Sequence, residues 1–165
     1  MEFNESIRKY ILSGIVAFIV VGLIVANVMA SKQDEKFAAN EALYNQAAQL
    51  QAEGKFEDAW EAISKVLKEE PNSEIANYLA AIIAANKDDL KQATMYMQKT
   101  LDINPHKVED PMFMIQLGEL FVAVERYDDA KTVLLRCQEW DWVPEEMPDY
   151  QEHVATLLAQ IENLQ

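Results

Sequence analysis

The sequence predicts an all-α protein: one apolar helix near the amino end, three helical hairpins in series, and a closing helix. Three observations predict it. An uninterrupted apolar run extends from Tyr10 to Ala30 and contains no charged residue. Beyond it, apolar residues recur at spacings of three and four, glycine is scarce, and almost no segment alternates as a strand would. A short motif then returns at a spacing of about 34 residues.

The apolar run is the first element. Crossing a bilayer core of ~30 Å at 1.5 Å per residue takes about 20 residues. The run is long enough, and Asn27, near one end, is its only strongly polar side chain. It therefore predicts a single transmembrane helix over residues 10–30, after a short amino-terminal segment (1–9) and before a juxtamembrane connection (31–36). A cleaved signal peptide is the rival reading, with Arg8 and Lys9 as its basic start and Val28-Met29-Ala30 near a cleavage site. The run exceeds the ~7–15 residues of a signal core, which favours a retained helix. Arg8 and Lys9 lie hard against the membrane edge, while Lys32 and Lys36 stand beyond the other end. This points to the amino terminus in the cytoplasm and the rest of the chain outside, in a bacterial cytoplasmic membrane. Gly22, Ala26 and Ala30, four residues apart, are small enough to let another membrane helix pack closely. No proline or glycine falls between Leu23 and Glu53, so the helix is expected to run unbroken into the first hairpin.

The hairpins follow from the repeated motif. Gly54-Lys55-Phe56-Glu57-Asp58-Ala59 precedes Pro71, and Asp88-Asp89-Leu90-Lys91-Gln92-Ala93 precedes Pro105. A third copy reads Glu125-Arg126-Tyr127-Asp128-Asp129-Ala130. Each residue has a mechanical reason. Ala59, Ala93 and Ala130 sit where two helices cross, and a larger side chain there would hold the backbones apart. Gly54 admits a positive φ in the turn. Phe56, Leu90 and Tyr127 start the second helix of each pair, and Pro71 and Pro105 end it.

In these residues the chain resembles the tetratricopeptide repeat family over roughly residues 37–145. Counted back from the alanines, the repeats run about 40–73, 74–107 and 111–144. The third is the fullest: Leu117-Gly118 and Phe121 stand where the family pattern has Leu-Gly and Tyr. The first has Gln46-Ala47 at the Leu-Gly position. The second has Ala80-Ala81 there and no glycine at its turn, and residues 106–110 lengthen the connection to the third. The tail, 146–165, carries Val154, Leu157, Leu158, Ile161 and Leu164 on one stripe, as expected of a helix capping the open end of a solenoid. Between them, residues 139–148 mix Trp140 and Trp142 with acids; they read as a loop packed on the last repeat, or as a partner contact.

Charge and composition restrict function. The 165 residues carry 28 acids against 14 bases, a net −14. Such a balance repels nucleic acid and anionic lipid headgroups. Cys137 is the single cysteine, and His106 and His153 have no ligand spacing, so no disulfide, metal or cofactor is expected. No phosphate-binding glycine loop and no nucleophile beside a base is present, so no enzyme is expected.

The resemblance implies a binding function. In the family a concave groove is lined by the second, fifth, ninth and twelfth positions of each first helix. Carried over, these are Glu41, Tyr44, Ala48 and Gln51; Ile75, Tyr78, Ile82 and Ala85; and Met112, Ile115, Glu119 and Val122. The set is apolar and lacks the lysine, arginine and asparagine residues with which cochaperone members hold a C-terminal carboxylate. The expected partner is thus a protein that offers an apolar or amphipathic segment. The architecture suggests an accessory or assembly subunit of a membrane protein complex. A receptor for amphipathic targeting segments on a membrane surface is the alternative, and a self-associating structural protein is a further one. The groove filled by the chain's own terminal helix, or by a second copy, also stands open.

Overall fold

The structure is a computed structural model that describes the backbone of residues 5–164 and the side chains of 18, 19, 21–23, 25–27, 29, 31 and 33–164. Seven α-helices follow in order: α1 (Glu5–Ala52), α2 (Phe56–Glu69), α3 (Glu74–Asn86), α4 (Leu90–Ile103), α5 (Pro111–Ala123), α6 (Tyr127–Glu139) and α7 (Tyr150–Leu164). A short 3-10 turn, Pro105–Glu109, joins α4 to α5. The chain divides into two compact units, Met1–Ala42 and Leu43–Gln165.

Two expectations are corrected in the first unit. Among the described residues no helix is long and apolar enough to cross a membrane. The transmembrane helix expected over residues 10–30 therefore does not stand, and neither does the placement of the chain in a bacterial cytoplasmic membrane. Helix α1 is 48 residues long and is not apolar along its length. The same helix then continues through exposed Gln33, Asp34 and Glu35. Gly22 and Ala26, two of the three residues expected to pack another helix, are exposed, and a Cβ at Gly22 would meet nothing within 4 Å. The side chain of the third, Ala30, lies outside the described residues.

In the second unit, consecutive helices pair as hairpins. At each turn the chain closes in the same way. Gly54, Asp88 and Glu125 take φ values of 74°, 62° and 61°. The next amide reaches back to the carbonyl five residues earlier: Lys55 to Leu50 (2.9 Å), Asp89 to Ala84 (3.0 Å) and Arg126 to Phe121 (2.8 Å). This left-handed cap satisfies carbonyls that the ending helix leaves open. The start of the following helix is capped by side chains where the sequence allows. Ser73, Asp89 and Asp110 accept from the backbone N–H of Ala76, Gln92 and Phe113. Helix α2 ends before Pro71 and α4 before Pro105, since proline offers no N–H to continue a helix.

Ala59, Ala93 and Ala130 are fully buried at the helix crossings. Gly118 permits a close approach: a Cβ there would lie 2.7 Å from Leu134 Cδ2. The core has two parts. One is built on α2, α3 and the end of α1 around Ile63 and Ile83; the other runs from α3 to α7 around Phe113, Leu117 and Leu134. Trp60 and Tyr96 touch both, with ring centroids 5.7 Å apart. Helix α7 closes the far end with buried Tyr150, Val154, Leu157 and Ile161, while Leu158 is half-buried and Leu164 exposed. The loop before it packs through Trp142, edge-on to Tyr150 at 6.3 Å. Gln151 fastens that loop by donating to the carbonyls of Cys137 and Trp142.

Candidate binding groove

Helix α3 begins at the Ser73 cap, so its register places Ile75, Tyr78 and Ile82 on one side at spacings of three and four. Ile75 is 58% exposed, while Tyr78 and Ile82 are half-buried. On α5, begun by Pro111 and capped by Asp110, Met112 is half-buried and Ile115 is buried. The two helices are joined at the centre of this face. Tyr78 donates its hydroxyl to Gln116 Oε1 at 3.0 Å, and its ring lies 5.7 Å from that of Phe113. Ala85 and Val122 are half-buried further along their helices. At the end of α1, Tyr44, Ala48 and Gln51 are half-buried. Glu41 belongs to the first unit, where it is exposed.

Four residues of this face were not among those expected: Lys107, Phe113, Gln116 and His153. Lys107, from the lengthened connection, sits 5.4 Å above the Tyr78 ring and 5.9 Å from that of Phe113. Its ammonium donates to Asp110 at 3.1 Å and lies 3.6 Å from Glu74. Burial works against this charge, but the bond to Asp110 and the two carboxylates outweigh it and hold the Lys107 pKa above its ordinary value. Burial, reinforced by the Asp110 charge, likewise pushes the Tyr78 hydroxyl above its ordinary value. The neutral phenol is thus kept as a hydrogen-bond donor.

Toward the carboxyl end the face is covered by α7. His153 Nε2 and Glu119 Oε1 stand 2.7 Å apart, and the Tyr150 hydroxyl donates to the Pro111 carbonyl at 2.9 Å. His153, which shows no ligand spacing in the sequence, is therefore half-buried and engaged. Its partner is 34 residues away, and no local spacing announces such a pair. His106 is exposed, 3.7 Å from Glu109.

Between α3 and α5 the described residues leave open an apolar strip with the Tyr78 hydroxyl, the Gln116 amide and the paired Lys107 ammonium. Such a surface suits apolar side chains and a few backbone polar groups. Cys137 is buried, and burial raises its thiol pKa, which disfavours the reactive thiolate. Among the described residues, no group of three or more histidine, cysteine, aspartate or glutamate side chains is disposed to hold a metal ion.

A family model described as a tetratricopeptide repeat-like domain matches residues 2–146. Among solved structures, the chain is similar to the type III secretion translocator chaperone SycD of Yersinia enterocolitica. The TM-score is 0.62 at 17% identity, covering 75% of this chain and 83% of that one. SycD in complex with a peptide of the translocator YopD matches with a TM-score of 0.61 at 17% identity, covering 75% and 92%. The TPR2B domain of yeast Sti1, in a complex with Hsp70, matches with a TM-score of 0.61 at 16% identity, covering 78% and 99%. No curated protein matches by sequence.

Proposed function

The chain belongs to the tetratricopeptide repeat-like family, and from that premise we propose that it is a non-catalytic protein-binding module. It holds an apolar or amphipathic segment of a partner protein along the face of α3 and α5. Tyr78 carries this reading. It stands half-buried at the centre of the face, tied to Gln116 across the helix gap, with exposed Ile75 one turn away. A tyrosine so held offers a large contact area with little rotamer entropy left to lose. The peptide complexes formed by SycD and by the Sti1 domain support the choice of a segment as occupant. The C-terminal carboxylate of a chaperone tail fits less well. Among the described residues, the cation placed on this face, Lys107, is already paired with Asp110 and Glu74.

Coverage by α7 narrows the site. Glu119 and Ile115, expected to line the groove, are taken up by the third repeat and α7. The open part is therefore Ile75, Tyr78, Ile82 and Met112, with Tyr44 and Ala48 as the contribution of the first repeat. The test is affinity purification of the full chain beside a Tyr78→Asp, Ile82→Asp double variant whose helicity is checked by circular dichroism. The wild type retains a specific partner and the folded variant loses it. A folded variant that retains the partner overturns the reading.

A further inference from the structure

A second surface lies on α4, away from the Tyr78 face. A cleft of about 620 Å³ opens between α4 and the turn from α5 to α6. Met95, which is 50% exposed, and Val124 give it an apolar lining. Lys91 and Lys99 stand along α4, eight residues apart, a rise of about 12 Å along the helix axis between their backbone positions. Neither lysine makes an ion pair with a described residue. In a chain with 28 acids to 14 bases, two unpaired ammonium groups beside one cleft run against the composition.

Arg126 forms the opposite rim and is held still. It donates to Gln98 at 2.7 Å and pairs with Asp129 at 2.6 Å, and its guanidinium lies 4.4 Å from the Phe121 ring centroid. Its charge is therefore largely spent, and its part is to fix the wall of the cleft. Asp102 also lines the cleft and repels an anion in it. Lys91 and Lys99 remain as charges to be met, with an apolar lining between them.

We propose that this cleft docks an acidic segment of a partner protein, with two carboxylates about 12 Å apart on Lys91 and Lys99 and an apolar side chain between them on Met95 and Val124. An extended segment places carboxylates four residues apart at about 13 Å, which matches the lysine spacing. The net charge of −14 does not forbid this. At ordinary ionic strength charges beyond about 8 Å are screened, so the groups that count are those lining the cleft, Lys91 and Lys99 against Asp102, with Asp88, Asp89 and Glu125 in the adjoining cleft beside Lys91. The site is independent of the Tyr78 face.

The experiment is an amide-resonance titration of the full chain with a synthetic extended peptide, glutamates four residues apart with leucine midway. Its glutamine analogue and inorganic phosphate, at matched ionic strength, are the controls. The acidic peptide moves resonances of residues 91–102 and 124–126 and binds about tenfold tighter than the analogue. The preference is lost in a Lys91→Glu, Lys99→Glu variant and kept in Tyr78→Asp. The proposal is overturned if the acidic peptide leaves these resonances still or binds no better than its analogue. It is also overturned if phosphate moves them equally, if the lysine variant keeps the preference, or if Tyr78→Asp removes it.

Discussion

At the residue scale, close approach and burial do most of the work. Gly118 faces Leu134 so tightly that a methyl group would sit 2.7 Å from Cδ2 and 3.0 Å from Cγ. Leu134 is itself fully buried and has little room to yield. Gly118→Ala should therefore cost about 1–3 kcal/mol through overpacking, read by chemical denaturation. Cys137 gives a pH dependence. Burial raises its thiol pKa above that of the unfolded chain, where a thiol ionises near about 8.5. The neutral thiol's contribution is thus complete below that pH and is lost as pH rises through the folded value. Tyr150, raised chiefly by burial and then by Cys137, adds a loss of the same sign at higher pH. Melting temperature should fall from pH 8 to 10, and the slope should be shallower in Cys137→Ala. An equal slope in the two proteins would remove Cys137 from the account. The crossing alanines were legible because small size at a helix crossing is a local demand that recurs with the period. Gln116 and Phe113 were not, because their roles depend on which side of α5 meets Tyr78 of a helix some 38 residues earlier.

At the element scale, the turns carry the repeat. Gly54, Asp88 and Glu125 occupy one backbone state with three different side chains. A side chain in this state costs about 1–2 kcal/mol, less for aspartate, whose short polar group tolerates it. Gly54→Ala should therefore lower stability by about 1 kcal/mol, whereas Glu125→Gly should raise it by about 0.5 kcal/mol once the greater freedom of unfolded glycine is offset. Thermal denaturation of both variants checks this. Destabilisation by Glu125→Gly comparable to that by Gly54→Ala would contradict the shared turn. The second repeat has no glycine at its turn, yet Asp88 serves the same geometry. The motif's loss was therefore a loss of sequence signal and not of structure. The closing helix was legible from Val154, Leu157 and Ile161. Its first residue, Tyr150, was not, since its burial depends on Cys137 and Pro111 from other helices.

At the scale of the whole molecule, the seven described helices separate two surfaces by chemistry. The face of α3 and α5 is apolar and centred on a tyrosine, and the cleft along α4 carries unpaired lysines. The sequence marked the first through the family's spacing. It did not mark the second, because Lys91 and Lys99 become neighbours of Val124 and Arg126 only after the hairpins stack. The apolar run from Tyr10 to Ala30 was the element most readily read and the one that misled. Apolar composition alone predicts burial in something, and among the described residues no membrane-crossing helix results. The central claim is that a partner segment lies over Ile75 and Tyr78. Its most direct test places a photo-crosslinking residue at Ile75 in the full chain, and in a parallel protein at exposed Gln138 on α6. A discrete adduct with a partner protein is expected from position 75, lost when Tyr78→Asp is added, and none from position 138. Adducts of equal yield from both positions, or an adduct at 75 that survives Tyr78→Asp, would contradict it.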